Sequence, residues 1–169
     1  MRVETLLANA FAYGGMIISL AGVRAKRDIQ KWCFFIGPLL LMAGAYLFGN
    51  TVFILLQAVI VLAGLGGVLN LKPALLSWLT MLAAALALAI LSTGGYVRAD
   101  WGLTGPVGLA LVALGIASAP RPASNHLLFW AGVPLFIFSI ITHAWPFAVL
   151  NFLWGIVLLH TMLTKRPHS

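Results

Sequence analysis

Acidic residues are almost missing from this chain. Three carboxylates serve 169 residues, Glu4, Asp28 and Asp100, and none lies in the middle of an apolar run. That argues against acid–base catalysis by paired carboxylates inside those runs. It also removes the buried carboxylate that proton- or sodium-coupled carriers commonly keep for the coupling ion. Cysteine is equally scarce. Cys33 stands alone, so no internal disulfide can form. The four histidines, His126, His143, His160 and His168, show no metal-ligand spacing. A haem held by His126 and His160 would need the two rings to face each other at matched depth. We read all four as interface or loop residues. No serine–histidine–acid set is present either, so the sequence predicts no enzyme, no cofactor and no metal.

What is abundant is apolar surface. The chain is 62% hydrophobic and 8% charged, with mean hydropathy +1.06. A soluble domain of this length cannot hide that much. The pattern is that of an integral membrane protein. Its net charge of +7 then reads as a topology signal and implies no nucleic acid. Arg2 followed by Glu4 makes a poor signal peptide, so the first apolar run is expected to stay as a helix.

Seven runs approach the ~20 residues that a helix needs to span a bilayer. They cover residues 5–23, 32–48, 51–71, 74–92, 103–119, 126–142 and 145–163. Their connections are tight, which makes sequential helices antiparallel neighbours. Arg24, Lys26, Arg27, Lys31, Lys72, Arg121, Lys165 and Arg166 fall on one side of this arrangement. Only Arg2 and Arg98 fall on the other. The bias predicts an outside N-terminus and a cytoplasmic C-terminus. Trp32, Trp101 and Trp145 sit at helix ends, with Trp78 and Trp130 one turn in, as interface residues do. Arg98 and Asp100 are expected to pair at the outer rim. The basic loop from Arg24 to Lys31 serves topology and offers a surface for anionic headgroups.

The chain also repeats itself. Residues 3–73 shifted by 94 positions fall on 97–167 without a gap, and 12 of the 71 pairs are identical. Matched pairs include Gly14/Gly108, Leu20/Leu114, Arg27/Arg121, Phe35/Phe129, Phe53/Phe147, Leu69/Leu163 and Pro73/Pro167. The division is then 1–73 for a first three-helix repeat, 74–96 for a linker helix and 97–169 for a second repeat. With one inverting helix between them, the halves are parallel repeats in a 3+1+3 all-α membrane bundle.

Few polar residues lie within the runs. Gln57 and Asn151 are repeat partners, each seventh in its helix and about 10 Å inside the outer end. Trp154 follows Asn151 by three residues and shares its face. An amide beside an indole suits a small polar ligand. Both amides would equally serve as glue between helices. Pro38, Pro106 and Pro134 fall inside runs and read either as rocking hinges or as static kinks. Gly14-Gly15 is the candidate hinge of helix one. Gly64-Leu65-Gly66-Gly67 is a small-residue face that lets helices approach.

Arg24-Ala25-Lys26-Arg27, then an apolar helix and a short turn, lead to Asn50-Thr51-Val52-Phe53-Ile54-Leu55-Leu56-Gln57, and the segment closes on Val68-Leu69-Asn70-Leu71. This stretch resembles the second and third helices of the SWEET/SemiSWEET-like PQ-loop clan. The likeness is strongest to the small bacterial lipid A biosynthesis-type N-terminal domain. It covers about 40 residues directly and the second half through the repeat. Helix one lacks the proline usual in that clan, and no Pro-Gln dipeptide occurs. The resemblance implies a facilitator of a small neutral polar solute, such as a sugar or nucleoside. It would work by alternating access around Gln57, Asn151 and Trp154. The alternative is a non-transporting integral membrane subunit or lipid-handling accessory protein of a larger membrane complex. The expected partners are a small solute or lipid, membrane lipids, and either a second copy of the chain in a homo-oligomer or a partner membrane subunit. The expected location is a bacterial inner (plasma) membrane.

Overall fold

A computed structural model describes residues 3–96, 103–118 and 122–164. Within them the chain forms α1 (Val3–Arg24), α2 (Arg27–Leu47), α3 (Thr51–Val68), α4 (Pro73–Thr93), α5 (Thr104–Ala117), α6 (Pro122–Ile141) and α7 (Trp145–Thr164). The expected Arg98–Asp100 pair lies outside the described residues, as do Arg2, Trp101, Arg121, Lys165, Arg166 and His168. Helices are what this composition demands, because a backbone in hydrocarbon must satisfy its own hydrogen bonds.

Six helices are long and apolar enough to cross a membrane, so the chain is an integral membrane protein. The fifth is shorter than its apolar run. At 14 residues α5 reaches about 21 Å, below the ~30 Å of a hydrocarbon core. Other ends moved outward. The second helix begins at Arg27 and includes Asp28 and Lys31, whose charges hide a first turn from hydropathy. The sixth begins at Pro122, and proline suits a first helical position because its missing N–H has no partner there. The third stops early, where Asn70 turns left-handed at φ 53° and the Leu71 N–H donates to the Gly66 carbonyl.

The helices pack in a regular neighbour pattern. α2 lies between α1 and α3, and α6 lies between α5 and α7. Two seams join these groups, α3 with α5 and α7 with α1, while α4 rests on α3 and α5. Small residues set the closest approaches. A β-carbon on Gly15 of α1 would stand 2.5 Å from the Gly37 carbonyl oxygen and 2.8 Å from the Leu41 nitrogen of α2. One on Gly64 of α3 would overlap the Phe34 carbonyl of α2. Pro38 has no N–H to offer that carbonyl, so Gly64 packs on an oxygen that lacks its usual i+4 donor. Gly66 faces Leu76 of α4 instead, so the expected small-residue face serves two partners.

Polar ties mark the two ends. At one, Lys31 Nζ donates to Asn70 Oδ1 and stands 4.0 Å from Asp28. At the other, Asn50 accepts from the Phe53 N–H as the cap of α3 and donates to Thr142 Oγ1. The α2–α3 and α6–α7 turns therefore meet at one end. Their backbones also match at the 94-residue spacing. Phe48, Gly49 and Asn50 donate to Gly44, Tyr46 and Ala45, and Thr142, His143 and Ala144 donate to Phe138, Ile140 and Ser139. The left-handed position is Gly49 at φ 67° in the first turn and His143 at φ 55° in the second. A side chain costs about 1–2 kcal/mol in this region, and glycine nothing. We expect Gly49→Ala to lower thermal stability by about 1 kcal/mol and His143→Gly to raise it by a similar amount. Paired melting curves in detergent check the opposite signs.

Candidate functional site: an aromatic stack and the amides behind it

The core of the bundle is built on phenylalanine. Phe53 of α3 and Phe147 of α7 are fully buried and stack with ring centroids 4.2 Å apart, only 13° from parallel. Phe138 of α6 leans on Phe53 at 5.6 Å. Phe53 and Phe147 are partners in the 94-residue repeat, each third in its helix. The contact therefore lies one turn inside the end that carries the two matched turns.

One further turn in, on the same helix faces, come Gln57 and Asn151. Gln57 is 3% exposed, and its Oε1 has no hydrogen-bond partner among the described residues. Asn151 is half-buried and well held. Its Nδ2 donates to the Phe147 carbonyl at 2.8 Å and to Ser139 Oγ at 3.3 Å. Ser139 is fully buried and passes its own proton to the Leu135 carbonyl at 2.6 Å. Ser139 was not legible as a site residue, since a lone serine in an apolar run usually bonds its own helix. Trp154 turns the same way from α7 and meets Phe34 of α2 edge-on at 6.0 Å. The indole thus reaches α2, a helix that is not a packing neighbour of α7.

Of the expected trio, Gln57 is buried on α3 and Asn151 and Trp154 are half-buried on α7, with no direct hydrogen bond between Gln57 and Asn151 among the described residues. Asn151 also borders a groove of about 240 Å³ between α6 and α7. Gly132 and Gly155 open it. Their repeat partners are Pro38 and Val61. Neither Gln57 nor Trp154 lines it.

No protein-family model, no curated protein and no solved structure matches this chain. What the site can do follows from its own chemistry. Among the described residues no three His, Cys, Asp or Glu side chains gather where they could hold a metal ion. The groups on offer are an unpaired amide oxygen, a second amide, a hydroxyl and aromatic faces. They can bind hydroxyl or N–H donors on a neutral solute, and nothing among them is a charge partner.

The candidate hinges divide. Pro38 lies inside α2 and Pro134 inside α6. Pro106 sits in the first turn of α5, where no intrahelical bond is lost. α1 runs without a break through Gly14 and Gly15. Gly15 is a packing contact with α2, and Gly14 faces open space.

Proposed function

We propose that this protein is a facilitator that carries a small neutral polar solute across the membrane. It works by alternating access between two three-helix groups, α1–α3 and α5–α7, with α4 as the linker. The observation that carries this reading is the Gln57 oxygen, buried and unpartnered one turn behind the aromatic stack. A buried amide oxygen without a donor costs about 1–3 kcal/mol. A solute hydroxyl or N–H is the partner it lacks. Asn151 and Trp154 complete the site from α7, and Trp154 supplies a flat wall.

The two-fold character of the site supports rocking of one group against the other. The seams α3–α5 and α7–α1 are repeat equivalents, as are the two rings of the stack. Two equivalent side chains can touch only near an axis that relates them. The basic residues favour the Lys31–Asn70 end as cytoplasmic and the matched turns as outside. The absence of a mid-span carboxylate favours uncoupled movement down a gradient.

A second reading is favoured by one amide alone. Asn151 donates to α6 through Ser139, as helix glue does. On that reading the protein is a non-transporting subunit. Thermal stability in mild detergent, against a panel of sugars, polyols, nucleosides and lipid headgroups, separates the two. A solute that binds the folded state raises stability by mass action, by about 2.7 kcal/mol at one hundred times its Kd. We expect one solute class to do so in wild type and not in Asn151→Ala/Trp154→Ala. Unchanged melting with every solute would favour the subunit.

A further inference from the structure

The stacked phenylalanines do more than fill the core. The geometry points to Phe53 and Phe147 as a two-residue gate that shuts the matched-turn end of the bundle over Gln57. This inference deepens the carrier reading and rests on it for its purpose, though the gate can be tested without any solute.

Three observations meet here. First, both rings are fully buried and stacked at 4.2 Å, with Phe138 against one of them, so no water path passes between them. Second, the rings come from opposite sides of the repeat, one from each three-helix group. Their contact spans the division between the groups and ties no helix to its own neighbours. Neither α3–α7 nor any other pair beyond the two seams and the sequential neighbours packs backbone to backbone, so side chains alone bridge this point. Third, a long polar tie crosses the groups at this end. Asn50 Nδ2 to Thr142 Oγ1, at 3.3 Å, is the side-chain hydrogen bond found across the groups among the described residues. Opening this end parts the two rings, the Phe53–Phe138 contact, this long hydrogen bond and the packing of Gly105 of α5 on Val52 of α3. The stacking itself is worth about 0.5–1.5 kcal/mol beyond the area the rings bury, so opening must also expose part of that area. Gln57 lies one turn beneath it, so opening the pair exposes the buried amide to that side.

The test reads access directly. In a Cys33→Ser background, Gln57→Cys is reconstituted in vesicles and its modification by a membrane-impermeant methanethiosulfonate is timed from each side. His143→Cys, which is exposed in the turn, marks the face that carries the matched turns. With both phenylalanines present, Gln57→Cys should react slowly from that face. Adding Phe147→Ala should speed the reaction at least tenfold from that face only. Phe147→Leu keeps most of the volume without the stack and should give an intermediate rate, which covers the case in which alanine prevents folding. An unchanged rate in both variants, or equal acceleration from both faces, overturns the gate. Solute-induced stabilisation is measured separately with Gln57 intact. Stabilisation with unchanged labelling removes the gate and leaves the carrier, and faster labelling with no stabilising solute keeps the gate and removes the carrier.

Discussion

Alanine at Gly15 and alanine at Gly14 should move stability in opposite directions, although the two residues are adjacent. A β-carbon on Gly15 meets the backbone of α2 at 2.5 Å and 2.8 Å, and backbone cannot rotate away. Helix α1 must lift off α2, at a cost of about 1–3 kcal/mol or more. Gly14 meets nothing within 4 Å, so alanine there adds only helix propensity, worth about 0.5–1 kcal/mol in favour of the fold. Gly64→Ala should be as damaging as Gly15→Ala, because its β-carbon would overlap the Phe34 carbonyl. Together these glycines clamp α2 from both sides. Thermal melts of the three single variants decide the matter. Equal, small shifts for all three would mean that the α1–α2–α3 contacts are looser than described.

The second large effect separates binding from packing. Gln57→Met replaces a buried, unpartnered amide with an unbranched apolar side chain of similar length. If the amide is kept for a solute, the empty protein should gain about 1 kcal/mol, the cost of the unsatisfied oxygen. The same variant should lose all stabilisation by the solute. Asn151→Leu should behave in the opposite way when empty, losing about 1 kcal/mol with its bonds to Phe147 and Ser139. Glue at both positions predicts a loss in both variants. The sign at Gln57 is therefore informative before any solute is known.

Much of this architecture could be read from the sequence. The 94-residue repeat announced the pairs Phe53/Phe147 and Gln57/Asn151, and the structure puts the first pair in contact. The turns after α2 and α6 share their backbone bonds, with left-handed Gly49 in one and His143 in the other. Helix ends were less legible. Hydropathy trims a first turn that holds Arg27, Asp28 and Lys31, and it cannot see a left-handed Asn70. Pro106 looked internal because apolar residues precede it, yet the helix starts only two residues earlier. Glycine roles were hidden for a different reason. Gly14 and Gly15 are alike in sequence, and only the facing backbone of α2 distinguishes them. The imbalance of the two amides was also invisible. It turns on Ser139, whose hydroxyl accepts from Asn151 Nδ2 and whose repeat partner, Ala45, has no hydroxyl.

The most direct test of the carrier is permeation itself. Proteoliposomes are shrunk by a step in external sugar, polyol or nucleoside, and stopped-flow light scattering follows their return to size. Return is fast only for solutes that enter. The account predicts rapid return for one neutral solute class with wild type, and return at the protein-free rate with Gln57→Met. Return no faster than in empty liposomes for every solute, or an equal rate with Gln57→Met, would contradict it.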